Sequence, residues 1–167
     1  AKPAEKIERT VTLNAPLPAV RASQASVGFI GAGGYASSVL VPAFAETGAR
    51  LKSIASATGV SSVHVGKKNQ IEEATTDTDS VLADEAINTL VITTRHNSHA
   101  SWVRKGLEAG KHIFVEKPLT LTRQELDDLG SFYTAMDQAP LLMVGFNRRY
   151  SPLVRPIAQA LARKSQP

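Results

Sequence analysis

The spacing of apolar positions changes period along the chain, and each change marks a predicted element. Val27, Phe29 and Ile30 form a short apolar run that stops at Gly31, the pattern of a buried strand. Ala36, Val39, Leu40, Ala43 and Phe44 then recur at helical spacing. They predict an amphipathic helix to about Thr47, with Gly48 as its stop and Pro42 removing one of its hydrogen bonds. Leu51 to Ala57 reads as the next strand, Val60 to Asn69 as a helix, Glu73 to Thr76 as a short strand and Ser80 to Ala83 as one helical turn. Thr89 to Thr93, TLVIT, is a continuous apolar run of the kind that a parallel sheet buries on both faces. Ser98 is placed to cap a helix that runs through Val103 and Leu107 to a stop at Gly110, and His112 to Val115 is a further buried strand. Thr122 and Glu125 form a capping box ahead of the stripe Leu126, Leu129, Tyr133 and Met136, and Leu141 to Val144 closes the series. Strands and helices alternating at this pace predict an α/β fold, a doubly wound parallel sheet with helices on both faces and right-handed crossovers.

The flanks have a different texture. Residues 1–26 carry Pro3, Pro16 and Pro18 among alanines and charges, which predicts a linker or the tail of an upstream domain. Within them Ile7, Arg9, Val11 and Leu13 share one face of an alternating stretch that reads as an edge strand. Ser151 to Lys164 reads as a helix at the other end, so residues 151–167 are expected to connect to a second domain and the chain to be a piece of a longer polypeptide.

Composition narrows the chemistry. With 167 residues of which 43% are hydrophobic, the chain is sized for one full domain. It has no cysteine, which excludes disulfides, thiolate zinc sites and cysteine nucleophiles. Of the four histidines, His64 and His112 stand alone, while His96 and His99 lie three apart with no carboxylate at ligand spacing, so no metal site is expected. The net charge of +4 and pI near 9.5 come from cations scattered among anions without interleaved aromatics, a solvated surface rather than a nucleic-acid face. No run approaches the roughly twenty apolar residues of a membrane span and no signal peptide opens the chain, so no membrane partner and a cytoplasmic location are expected.

Gly31, Gly33 and Ala36 sit in the G-x-G-x-x-G/A spacing of a phosphate-binding turn. Gly31 permits the tight turn, a side chain at Gly33 would hold the backbone off a pyrophosphate, and a large residue at Ala36 would push the following helix from the sheet. That helix directs its free N–H groups at the phosphates. In a doubly wound sheet the residues after each strand converge on one rim. Here they are Gly31 to Tyr35, Ser56 to Thr58, Thr93 to His99, Glu116 to Pro118 and Asn147 to Tyr150. With Arg95, Lys117, Arg148 and Arg149 among them, the edge suits a phosphate-bearing cofactor.

VGFIGAGGYA, TTRHNSH, HIFVEKPL and VGFNRRYSP, in this order and spacing, resemble the N-terminal half of the glucose-fructose oxidoreductase, inositol 2-dehydrogenase and rhizopine-catabolism (Gfo/Idh/MocA) family. The resemblance covers about Val27 to Pro152 and implies that residues 27–150 form a Rossmann domain binding NAD or NADP. It implies that Lys117 lies beside the nicotinamide and the substrate hydroxyl, with Glu116 and Pro118 shaping that turn. Thr93, Thr94, Asn97 and His99 would line the cofactor and Arg149 would approach its nicotinamide end. Gly31, Gly33, Gly34, Tyr35 and Ala36 would hold the pyrophosphate, and Ser56, Ala57 and Thr58 the adenosine ribose. The implied reaction is hydride transfer between the nicotinamide and a sugar or cyclitol hydroxyl. The base, a histidine aided by an aspartate, would sit on the second domain, through which a homo-oligomer is possible. The proline-rich head and the wording RHNSHA are also similar to bacterial polypeptides in which a zinc-type alcohol dehydrogenase unit precedes this domain.

Two departures from the family pattern stand out. Thr94-Arg95 replaces the frequent Thr-Pro, and Arg95 puts a charge at a rigid turn. Ser56-Ala57-Thr58 stands where an NAD enzyme usually presents an acid to the ribose; this either favours NADP, with Lys67 or Lys68 placed to reach a 2′-phosphate, or leaves hydroxyls that bind the NAD ribose less strongly. The alternative is a nucleotide-binding sensor or scaffold without turnover, against which Lys117 argues. A methyltransferase predicts an acid after the second strand, where none stands.

Overall fold

The computed structural model describes residues 8–18 and 24–162, so Ile7 and Lys164 lie outside the described residues. Seven strands form one sheet: β1 (Thr10–Thr12), β2 (Ser26–Ile30), β3 (Arg50–Ala55), β4 (Glu73–Thr75), β5 (Thr89–Ile92), β6 (His112–Glu116) and β7 (Leu142–Gly145). Their order is β1-β4-β3-β2-β5-β6-β7. All neighbours are parallel except β1, which pairs antiparallel with β4. The helices are α1 (Val41–Glu46), α2 (Val60–Lys68), α3 (Thr78–Ala83), α4 (His99–Glu108), α5 (Arg123–Thr134) and α6 (Val154–Ala162).

Every residue of β2 and β3 is buried, because a helix-covered layer lies on each side of the sheet. On one side Ile92, Leu107, Val115 and Leu129 pack together; on the other Phe29, Ile54, Val65 and Ile71 do. The chain runs outward from β2 through β3 to β4, then returns to β5 beside β2 and proceeds to β6 and β7. The order thus reverses between β2 and β5, where such sheets open a crevice.

Three local readings change. The helix expected from Ala36 begins as a wide turn over Ala36–Leu40, where the Val41 N–H reaches back to the Ala36 carbonyl, before tightening into α1. Pro42 accounts for the widening: its ring would strike the carbonyl of Ser38 in a regular helix and it has no N–H to donate. The second strand ends at Ala55, not Ala57, and the Ser56 N–H bends to the Thr75 carbonyl. Ser98 sits at the start of α4 without capping it; its hydroxyl goes back to the Arg95 carbonyl at 2.8 Å and to the Thr94 hydroxyl at 2.7 Å. The capping box of Thr122 and Glu125 is formed, and the two backbone N–H groups that Glu125 accepts, from Leu121 and Thr122, hold its carboxyl below the usual range.

The described part of the head joins the sheet. β1 covers the outer edge of β4, and the Leu13 N–H donates to the Glu72 carbonyl at 2.7 Å. Glu72, 2% exposed, takes two hydrogen bonds from the Arg50 guanidinium at 2.7 and 2.9 Å and one from the Leu17 N–H at 3.2 Å. Burial opposes the charge on Glu72, yet Arg50, Leu17 and Lys52 hold its carboxyl below the ordinary value. At the other end of the described residues α6 shows Ile157 and Leu161 to solvent, and Leu153 just ahead of it is exposed as well.

Candidate functional site

The C-terminal ends of β2, β3, β5, β6 and β7 open on a single rim, and the turn after β2 forms its middle. Gly31 has φ +108°, and a Cβ there would lie 2.7 Å from the Thr93 carbonyl oxygen, so both conformation and space demand glycine. Gly33 and Gly34 are the opposite case: a Cβ on either would meet nothing within 4 Å. Their backbone is therefore the bare floor of a hollow that a side chain would fill. Their carbonyls accept the Ser37 and Ser38 hydroxyls at 2.8 and 2.7 Å; the Gly31 N–H goes to the Ala55 carbonyl at 2.9 Å, while the Gly33 and Gly34 N–H groups have no acceptor among the described residues. Ala36, 2% exposed, packs beneath.

Two clefts meet at this floor, sharing Gly33, Thr93 and Thr94. The one toward β3 has a volume of about 790 Å³ and the one toward β7 about 500 Å³. Every cofactor residue expected from the sequence lines one or the other except Arg149 and the two lysines Lys67 and Lys68. The guanidinium of Arg149 turns away to the Phe146 carbonyl at 3.1 Å and lies 5.7 Å from the Tyr150 ring, while Arg148 lines the cleft. The two sit in a single tight turn over Asn147–Tyr150, where consecutive side chains point about a third of a revolution apart.

The cleft toward β3 is bounded by Ser56, Ala57, Thr58 and Ser61 on one side and Arg95 and Asn97 on the other. The Ser56 hydroxyl is spent within its own turn, accepting the Gly59 N–H at 3.2 Å and lying 3.0 Å from the Ser62 hydroxyl. Thr58 and Ser61 are the hydroxyls left to the cleft. Lys67 and Lys68, expected to reach this end, stand in the last turn of α2, about 10 Å along its axis from the first residue, and Lys68 lines a separate cavity with Leu17 and Ala49. A nine-residue helix carries its last turn away from the rim that its first turn serves.

In the cleft toward β7, Lys117 is exposed at the end of β6, joined to Pro118 by a cis peptide. Glu116 is 9% exposed; its Oε2 accepts the Lys117 N–H at 3.3 Å, and its Oε1 is buried without a partner among the described residues. A Cβ at Gly145 would come within 2.8 Å of that oxygen, so the glycine makes room for it. An orphaned acceptor at the cleft wall fits a ligand that donates N–H or O–H there. His99 is fully buried, with Nδ1 2.7 Å from the Pro118 carbonyl and Nε2 3.0 Å from the Thr94 carbonyl. It fastens the loop after β5 to the turn after β6, and neither ring nitrogen remains for a cofactor or a substrate proton. Across the mouth, Asn147 donates to the Tyr35 hydroxyl at 2.6 Å. His96, Asn147 and Ser61 line the clefts as well; the first two lie inside TTRHNSH and VGFNRRYSP without a role of their own there, and only its place at a helix start marks Ser61.

A family described as an oxidoreductase family with an NAD-binding Rossmann fold matches residues 25–146. The chain is 35% identical over 88 residues to scyllo-inositol 2-dehydrogenase (NAD(+)) of Bacillus subtilis, covering 53% of this chain and 25% of that protein. It is 28% identical over 135 residues to D-xylose 1-dehydrogenase (NADP(+)) 2 of Haloferax volcanii, covering 81% and 41%. Among solved structures, the 3-ketoreductase KijD10 from Actinomadura kijaniata, in complex with TDP-benzene and NADP in its open conformation, superposes with a TM-score of 0.75 at 25% identity, covering 84% of this chain and 44% of that one. The chain thus spans less than half the length of each of these proteins.

Proposed function

Because the chain belongs to the Gfo/Idh/MocA oxidoreductase family, whose NAD-binding domain has the Rossmann fold, we propose that its paired clefts hold NAD(H) or NADP(H) and that the whole protein oxidises or reduces a sugar or cyclitol. The observation that carries this is the bare floor at Gly33 and Gly34, where two clefts meet and a Cβ has open space. A pyrophosphate there receives the turn's N–H groups and the positive end of the following helix. Thr58 and Ser61 would face the adenosine of the cofactor, and Lys117 its nicotinamide.

The bound nicotinamide supplies the site that accepts or releases hydride. The chain's own groups bind and orient. Lys117, as an ammonium, donates a hydrogen bond to the substrate oxygen and stabilises the negative charge that develops as its proton leaves. Glu116 Oε1 offers an acceptor at the cleft wall. Tyr35 and Asn147 bound the mouth. The proton itself needs an acceptor within hydrogen-bond reach. His99 is engaged on both nitrogens and Lys117 only donates, so in this reading the base comes from the part of the longer protein that faces the cleft. The relatives named above support sugars and cyclitols as substrates, and a cytoplasmic setting accords with a soluble nicotinamide cofactor.

The test is titration of the chain with NADH and NADPH, followed by the fluorescence of the reduced nicotinamide, together with a panel of polyols and oxidised cofactor. Saturable binding without turnover is expected. A folded chain that binds neither dinucleotide would overturn the proposal, and sustained turnover by this chain alone would overturn the assignment of the base.

A further inference from the structure

We infer that Arg95 is the side chain that selects a cofactor bearing a 2′-phosphate on its adenosine ribose, an assignment that rests on reading the two clefts as a dinucleotide site. Among the described residues lining the cleft toward β3, Arg95 is the one charged side chain, and no carboxylate lines that cleft. Arg95 is exposed and makes no ion pair or side-chain hydrogen bond with the described residues. Its backbone is nonetheless pinned: its carbonyl accepts the Ser98 N–H at 3.0 Å and the Ser98 hydroxyl at 2.8 Å. A side chain with a fixed root and an unclaimed guanidinium is arranged for an anion that comes from solution.

The opposite wall fits the same anion. Thr58 and Ser61 present hydroxyls, the first turn of α2 carries no acidic residue, and the Ser56 hydroxyl is already occupied within its turn. A ribose bearing only hydroxyl groups would usually meet a carboxylate at this strand end. A phosphate monoester instead needs donors and a cation, and a guanidinium provides a planar fork for two of its oxygens. The lysines of α2 cannot serve, since they stand at the far end of that helix. The cation therefore arrives from the other wall, from the loop after β5, at the position where the turn carries Arg95 in place of a proline.

The experiment measures dissociation constants of NADPH and NADH for the chain and for Arg95→Gln and Arg95→Lys, with adenosine 2′,5′-bisphosphate and adenosine 5′-monophosphate as fragment probes. The native chain is expected to prefer NADPH and the bisphosphate. Arg95→Gln should weaken both by about tenfold while leaving NADH and the monophosphate within about twofold. Arg95→Lys should recover part of the loss, since it restores the charge without the fork. Because Arg95 is exposed, the variants should melt with the native chain, which separates binding from folding. Equal weakening of both dinucleotides would overturn the assignment and make Arg95 a stacking platform for the adenine. An unchanged preference for NADPH would also overturn it. Either result leaves dinucleotide binding in place, whereas failure of the native chain to bind any dinucleotide would remove the assignment together with the reading beneath it.

Discussion

The same sheet carries cations at both of its ends and treats them in opposite ways. Where β3 and β4 begin, Arg50 and Lys52 are 7% and 8% exposed; Arg50 pairs with Glu72, and Lys52 with Glu72 and Glu73. Where the strands end, Arg95, Lys117 and Arg148 are exposed and pair with none of the described residues. A cation taken out of water needs a partner at once, because an unpaired buried charge is costly. A cation left in water pays no such penalty and can wait for an anionic ligand. The same residue type is therefore structural at one end and ligand-facing at the other, and the deciding fact is the partner, not the charge.

Removing the partner at the paired end gives the largest effect. Glu72→Ala should lower stability by about 3–5 kcal/mol, measured by urea unfolding, because it strands Arg50 in a buried setting and leaves Lys52 only Glu73. Dinucleotide affinity of the molecules still folded should not change. A loss well under 1 kcal/mol would erase the contrast between the two ends. Gly33→Val acts in the reverse sense: dinucleotide binding should weaken by about a hundredfold or more, about 2.7 kcal/mol, with an unchanged melting temperature, since no protein atom stands within 4 Å of the new Cβ. Unaltered affinity by calorimetry would remove this turn as the phosphate floor.

Acid offers a gentler test of the paired end. Glu72 ionises more readily in the folded chain than at its ordinary value of 4.5. Its stabilisation is therefore complete above that value and fades as the pH falls through the lower folded one. The melting temperature should drop over this acid window, and Glu72→Gln should flatten that part of the profile. The smallest effect is expected at Ser56→Asp. A carboxylate there still accepts the Gly59 N–H, gains ribose hydroxyls and repels a 2′-phosphate, moving preference toward NADH by about 1 kcal/mol. A native chain that already prefers NADH, and keeps that preference unaltered in the variant, would show that charge at this strand end does not set the choice.

Periodicity made the alternation of strands and helices legible, because burial on both faces of β2, β5 and β6 and on one face of α4 leaves the two periods nearly uncontaminated. The glycine turn was legible because steric exclusion depends on residue type: Gly31 and Gly33 are glycines for different reasons, and both reasons follow from a missing Cβ. What depends on direction was less accessible. Nothing in Arg148-Arg149 tells which arginine a tight turn aims inward, and Lys67 and Lys68 look near Ser56 in sequence although a helix carries them away. His99 looked available as a cofactor or proton-handling group until its two nitrogens were seen to reach carbonyls 5 and 19 residues distant. The pairing of Arg50 with Glu72, 22 positions apart, likewise depends on strand neighbours that only the sheet order brings together.

The family match begins at residue 25, but β1 and Leu13 lie before it and close the edge of β4. A polypeptide trimmed to the match would bare a row of backbone donors and acceptors on β4 and uncover the apolar surface that Leu13 shields. Open strand edges recruit further chains. The three exposed residues of β1, two of them threonines, thus act as an end-stop for the sheet, and trimming them leaves β4 as an open edge inclined to pair with a further chain.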